Sequence, residues 1–75
     1  MLDSLAINMK ITYDVSIDAA YIYLVDYIKP SEVAKTTPVD ASINLDFDAE
    51  GKLVGIEVLN ASKKLPVEVL KKAVG

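Results

Sequence analysis

The chain has 75 residues, 52% of them apolar, a net charge of −3, and neither cysteine nor histidine. This length implies one domain with a thin core, and the apolar share excludes a disordered segment. The missing residues exclude disulfides, thiolate and imidazole metal sites and the commonest general base.

All of the basic residues are lysine. Without arginine the chain lacks the side chain best suited to bidentate phosphate or guanine contacts, so no nucleic-acid partner is expected. No apolar run approaches the length of a membrane span, and no membrane partner is expected. Residues 1–8 lack the positive start of a secretory signal, and the absence of cysteine fits a reducing cytoplasm.

Met1 to Asn8 reads as an N-terminal extension that could dock Leu2, Leu5 and Ile7. Met9-Lys10-Ile11-Thr12-Tyr13 alternates, with Met9, Ile11 and Tyr13 on one face, and predicts the first strand. Asp14 to Asp18 carries turn-favouring side chains. Ala19 to Tyr27 is aromatic and β-branched, which predicts a strand; a helix starting at Asp18 is the competing reading. Its two faces would be Tyr21, Tyr23, Val25 and Tyr27 against Ala20, Ile22, Leu24 and Asp26. Lys29-Pro30-Ser31 signals a turn, and Glu32 to Val39 leans to strand. Pro38 cannot donate to a ladder, so that strand belongs at an edge.

Ser42 to Leu59 carries the strongest local signal. Ile43, Leu45 and Phe47 alternate with Ser42, Asn44, Asp46 and Asp48. Asp48-Ala49-Glu50-Gly51 is a turn, with Gly51 free to adopt a positive φ. The apolar run Leu53 to Leu59 completes a hairpin. Asn60 to Leu65 reads as a connection. Pro66 to Val74 reads as a helix: Pro66 suits a first turn, Val67, Leu70 and Val74 follow helical spacing, and Gly75 is the stop.

The hairpin contains a conflict of parity. If Asp48 opposes Lys52, then Phe47 faces Leu53, Leu45 faces Gly55 and Ile43 faces Glu57. Val54, Ile56 and Val58 then share a face with Asn44 and Asp46. Either a β-bulge near Val54-Gly55 flips the register, or both sheet faces are covered. One C-terminal helix covers one face, so the second solution requires another copy of the chain. A homodimer or higher assembly is expected on this ground and from the small, unstapled core.

Asp46-x-Asp48-x-Glu50-Gly51-x₅-Glu57 nearly fits a calcium loop. Glu50 is too long for its place, Val54 brings no ligand, and the flanks have strand period, so a solvated turn is the favoured reading. Asp14 and Asp18 could form a carboxylate pair; capping of a short turn is the favoured reading. Tyr13, Tyr21, Tyr23 and Tyr27 could make a stacking platform, although strand tyrosines more often pack cross-strand neighbours. Lys63, Lys64, Lys71 and Lys72 read as a solvated face. No catalytic, metal or cofactor-binding residue is assigned. The side chains used for acyl transfer and redox chemistry are missing, and an enzyme is not expected.

Met9 to Asp14, Asp18-Ala19, Tyr21 to Leu24, and Asp46 to Leu59 followed by Asn60-Ala61-Ser62 together resemble the DUF2283 family, a set of small prokaryotic domains of unknown function. The densest stretch is Gly51…Val54-Gly55-Ile56-Glu57. The resemblance implies a small antiparallel β domain with no known active site. Some members appear beside small toxins, which implies an antitoxin-like partnership as one alternative. The family usually begins at the position of Met9, so residues 1–8 stand outside it and translation from Met9 is an alternative start. The expectation is an α+β domain over residues 9–75. It comprises a small antiparallel β-meander sheet of four to five strands with a C-terminal α-helix, acting as a non-enzymatic, self-associating protein-interaction domain. A metal or ligand binder built on the 46–57 hairpin is the other alternative.

Overall fold

The computed structural model describes residues 9–73; the readings made for residues 1–8 and for Val74-Gly75 lie outside them. The chain forms five strands and two short helices: β1 Lys10–Asp14, β2 Ala19–Tyr23, β3 Lys35–Pro38, β4 Ile43–Phe47, β5 Leu53–Leu59, α1 Ala61–Lys64 and α2 Val67–Lys71. The strands make one antiparallel sheet in the order β1-β2-β5-β4-β3. The α+β class is as expected. The sheet is not the expected meander, because hairpin signals alone do not fix the strand order. Residues 24–34 carry the chain from one side of the sheet to the far edge, and the last strand returns to the centre, between β2 and β4.

The aromatic and β-branched stretch from Ala19 is a strand, not a helix, but it stops at Tyr23 rather than Tyr27. The cause lies in its neighbour. Tyr23 pairs with Gly55, the Leu24 N–H bonds the carbonyl of Val54 at 3.0 Å, and regular pairing ends there. The third strand covers only Lys35–Pro38 of the expected 32–39, and it is an edge strand, as Pro38 requires.

The 42–59 hairpin forms as expected, with Gly51 at φ 82°. The Asp48 carbonyl accepts the Gly51 N–H, and its Oδ1 accepts those of Glu50 and Lys52 at 2.9 Å, an Asx-type closure. Phe47 pairs with Leu53. Beyond that pair the in-phase register fails: Asp46 pairs with Gly55, Leu45 with Ile56, Asn44 with Glu57 and Ile43 with Val58. Val54 is the extra residue of a β-bulge. The flip puts the apolar residues of both strands on one side, so the parity argument for a two-sided sheet does not hold.

The expected C-terminal helix forms as α2, and the correction concerns the stretch before it: the first short helix, α1, lies in the stretch read as a connection. Leu65 precedes a proline and is held extended (φ −113°, ψ 145°), which ends α1 at Lys64. Pro66 then stands at the N-cap of α2. No helix of the described residues is long and apolar enough to cross a membrane.

By register, Ile11, Tyr13, Ala20, Ile22, Ile43, Leu45, Phe47, Ile56 and Val58 share one face, and Thr12, Tyr21, Tyr23, Asn44, Asp46, Glu57 and Thr36 share the other. Ala20, Val58 and Ala61 form the buried core, packed by Tyr13, Ile43, Ile56, Leu65 and Leu70. The C-terminal segment thus covers one part of the apolar face.

Candidate functional site

The polar face carries a hydrogen-bonded chain that crosses four strands. From β2 the Tyr21 hydroxyl donates to Asp46 Oδ2 on β4 at 2.5 Å. From β3 the Thr36 hydroxyl donates to Asp46 Oδ1 at 2.5 Å. Between them lies β5, and the Tyr21 ring passes over Gly55: a Cβ built there would overlap the ring and its hydroxyl. Gly55 is the position in β5 where only hydrogen leaves room for that crossing. Tyr23 lies beside Tyr21 with ring centroids 4.8 Å apart, and Lys10 Nζ stands 5.1 Å from the Tyr23 centroid. Asn44 Nδ2 donates to Glu57 Oε1 at 2.9 Å.

Burial, and then the hydrogen bond to Asp46, push the Tyr21 phenol well above the usual tyrosine range. A phenol held protonated is a firm donor and a poor acid or nucleophile. Asp46 has both oxygens engaged by hydroxyl donors. The arrangement suits stitching β2, β4 and β3 together better than proton transfer. Beside it, an open depression of about 450 Å³ is lined by Thr12, Asp14, Ala19, Tyr21 and Glu57, among others.

The acidic residues of the calcium-like motif are separated by the fold. Asp46 is held by Tyr21 and Thr36, Asp48 closes the turn through backbone N–H groups, Glu57 is bonded to Asn44, and Glu50 is exposed. The bulge and the pairing of Glu57 with Asn44 put four residues of β5 between Glu57 and the turn, so the distal glutamate cannot reach the loop.

Asp18 and Asp14 divide into two roles. Asp14 Oδ1 takes the Ser16 N–H and hydroxyl, a local turn. Asp18, at φ 53°, reaches α1: its Oδ1 accepts the Ser62 N–H at 2.9 Å, its Oδ2 the Ser62 hydroxyl at 2.7 Å, and its carbonyl the Ala61 N–H at 2.9 Å. The Tyr13 hydroxyl donates to Oδ1 at 2.7 Å. Asp18 is thus the helix cap that Asn60, with no side-chain cap bond of its own, does not supply. The Ser62 hydroxyl first, then the Tyr13 hydroxyl, hold the Asp18 carboxyl below the usual range, and Tyr13 is pushed up in turn by that bond.

The four tyrosines do not gather. Tyr13 is on the apolar face, Tyr21 and Tyr23 are on the polar face, and Tyr27 is exposed in the loop after β2. Lys63, Lys64, Lys71 and Lys72 are all exposed; Lys64 approaches Asp40 at 3.7 Å. Sequence reasoning missed Thr36 and Lys10 as members of the polar face. The shared parity of Asn44 and Asp46 was visible, but the strands beside them were not.

The remaining feature is the uncovered part of the apolar face. Ile11, Ile22, Leu45 and Phe47 are half-buried and stand outside the core cluster. An open depression of about 400 Å³ beside Phe47, Thr37 and Ala34 continues that side toward the hairpin turn.

A family model described as "Protein of unknown function (DUF2283)" matches residues 10–62. The chain is 39% identical over 61 residues to the uncharacterized protein MJ0789 of Methanocaldococcus jannaschii. That match covers 81% of this chain and 48% of the relative, so the chain spans about half the length of the curated protein it matches. No solved structure matches.

Proposed function

The chain belongs to the DUF2283 family, and we propose that it is a small protein-interaction domain that associates with a second copy of itself through the apolar face of its sheet. One observation carries this reading. Among the described residues the buried apolar side chains are only Ala20, Val54, Val58 and Ala61, while larger ones on the apolar face, Ile11, Ile22, Leu45 and Phe47, stay partly exposed. Covering such area returns about 25 cal/mol per Å². Two identical apolar faces complement each other across a two-fold axis, the commonest symmetry of homo-oligomers and one way a small chain without staples completes its core. Light scattering of the purified chain is the test. The expected result is a mass above one chain at micromolar concentration, reduced toward one chain by Leu45→Glu. A single-chain mass that is indifferent to concentration would remove the reading.

A further inference from the structure

The sheet has two edges, and they are built differently. The β3 edge carries Pro38, which has no N–H to offer, and is short, at four residues. The β1 edge carries Lys10-Ile11-Thr12-Tyr13-Asp14, with no proline and three β-favouring residues at its centre. An unguarded edge presents a row of free donors and acceptors to another strand. Among the described residues nothing pairs with this one.

The residues of β1 complement themselves. Laid antiparallel on a second copy about a two-fold axis at Thr12, Lys10 comes opposite Asp14, Ile11 opposite Tyr13, and Thr12 opposite itself. One step further out, Met9 approaches Val15. Exposed apolar side chains flank β1, as they do other parts of the surface at Tyr27, Val39 and Val67: Met9 is 53% exposed, Val15 75% and Ile17 68%. Lys10, Thr12 and Asp14 share the polar face, and Ile11 and Tyr13 share the apolar face, so both ion pairs would fall on the wet side and both apolar pairs on the dry side. Lys10 is exposed, and Ser16 uses Oδ1 of Asp14, so Oδ2 is left for a cross-strand lysine. Opposite charges directly across an antiparallel pair stabilise it, and like charges oppose it.

We propose that the β1 edge is a second self-association surface, on which another copy of this chain adds antiparallel to form a continuous ten-stranded sheet. The occupant is a second copy rather than an unrelated extended peptide, because the register that centres on Thr12 satisfies charge, polarity and exposure together at each of its positions. The surface is separate from the apolar face, and its test does not depend on that face.

Cysteine is absent from the chain, so a single introduced thiol reports one contact. Thr12→Cys in the full chain places two thiols across the axis, within the roughly 4.4–6.8 Å between Cα atoms that a disulfide spans. Mild oxidation at micromolar concentration should convert most of it to a covalent two-chain species, while Thr36→Cys, on the guarded edge, should stay single. Lys10→Asp in the Thr12→Cys background should weaken cross-linking about tenfold by opposing like charges. Lys10→Asp with Asp14→Lys should restore it, which a merely misfolded variant would not do. Equal cross-linking of the two edges, or no recovery in the charge-swapped chain, would overturn the proposal. Cross-linking that survives Leu45→Glu separates this edge from the face-to-face reading.

Discussion

Gly51 and Gly55 lie on the same hairpin and exclude side chains for different reasons. Gly51 sits at φ 82° with nothing near its missing Cβ, so its requirement is purely one of backbone. Gly51→Val should cost about 1–2 kcal/mol in urea denaturation through left-handed strain, and an unchanged midpoint would contradict that account. Gly55 has no such backbone demand; its missing Cβ is the space through which Tyr21 reaches Asp46. Gly55→Val should therefore cost about 1–3 kcal/mol by displacing the ring, and markedly less in a Tyr21→Ser background. Additive costs in the two backgrounds would show that the ring is not the obstacle. The first glycine was legible in the sequence because a turn is written in consecutive residues. The second was legible only as an irregularity near Val54, because the ring that needs it comes from another strand.

At the scale of elements, α1 could not be read locally. Asn60 to Leu65 has no N-cap bond of its own, and the cap arrives from Asp18 at the end of the β1–β2 turn. The four-residue helix would be unstable alone, so the side chain that fixes it also fixes how the C-terminal segment sits on the sheet. Asp18→Ala should lower the melting temperature and expose the Ser62 amide to hydrogen exchange more than amides in β5. The acid limb follows from the sign of the shift. The Asp18 carboxyl titrates below its ordinary value when folded, so its contribution is present above the unfolded pKa of about 3.9 and is lost as pH falls through the lower folded value. Wild type should lose more stability than Asp18→Asn on acidification through that window. Parallel pH profiles would show that the carboxylate is not the cap. The bulge is the second element-scale event: its presence follows from apolar parity in the sequence, whereas its position at Val54 follows from the pairing of β5 with both β4 and β2.

At the scale of the whole molecule, the strand order was the part least legible. Each hairpin is local, but the placement of β5 between β2 and β4 is a long-range choice that leaves β1 and β3 at the edges. That choice gathers the apolar residues of β1, β2, β4 and β5 on one face and gives that face a C-terminal segment too short to cover it. The case for self-association therefore no longer rests on two apolar faces, as the in-phase register implied. It rests on one face incompletely covered, and it has a thermodynamic consequence. If folded chains associate and unfolded chains do not, mass action ties stability to concentration. Each tenfold rise in concentration adds about 1.4 kcal/mol per pair of chains, which corresponds to roughly 3–6 °C in melting temperature for a pair of this size. Scanning calorimetry over a hundredfold range of concentration should therefore show a rising midpoint for the wild-type chain. A shallower rise is expected for Leu45→Glu, which puts a charge on the apolar face and leaves only the β1 edge to associate. If the wild-type midpoint is flat, the sheet is stable as a single layer and the half-buried Ile11, Ile22, Leu45 and Phe47 mark no interface.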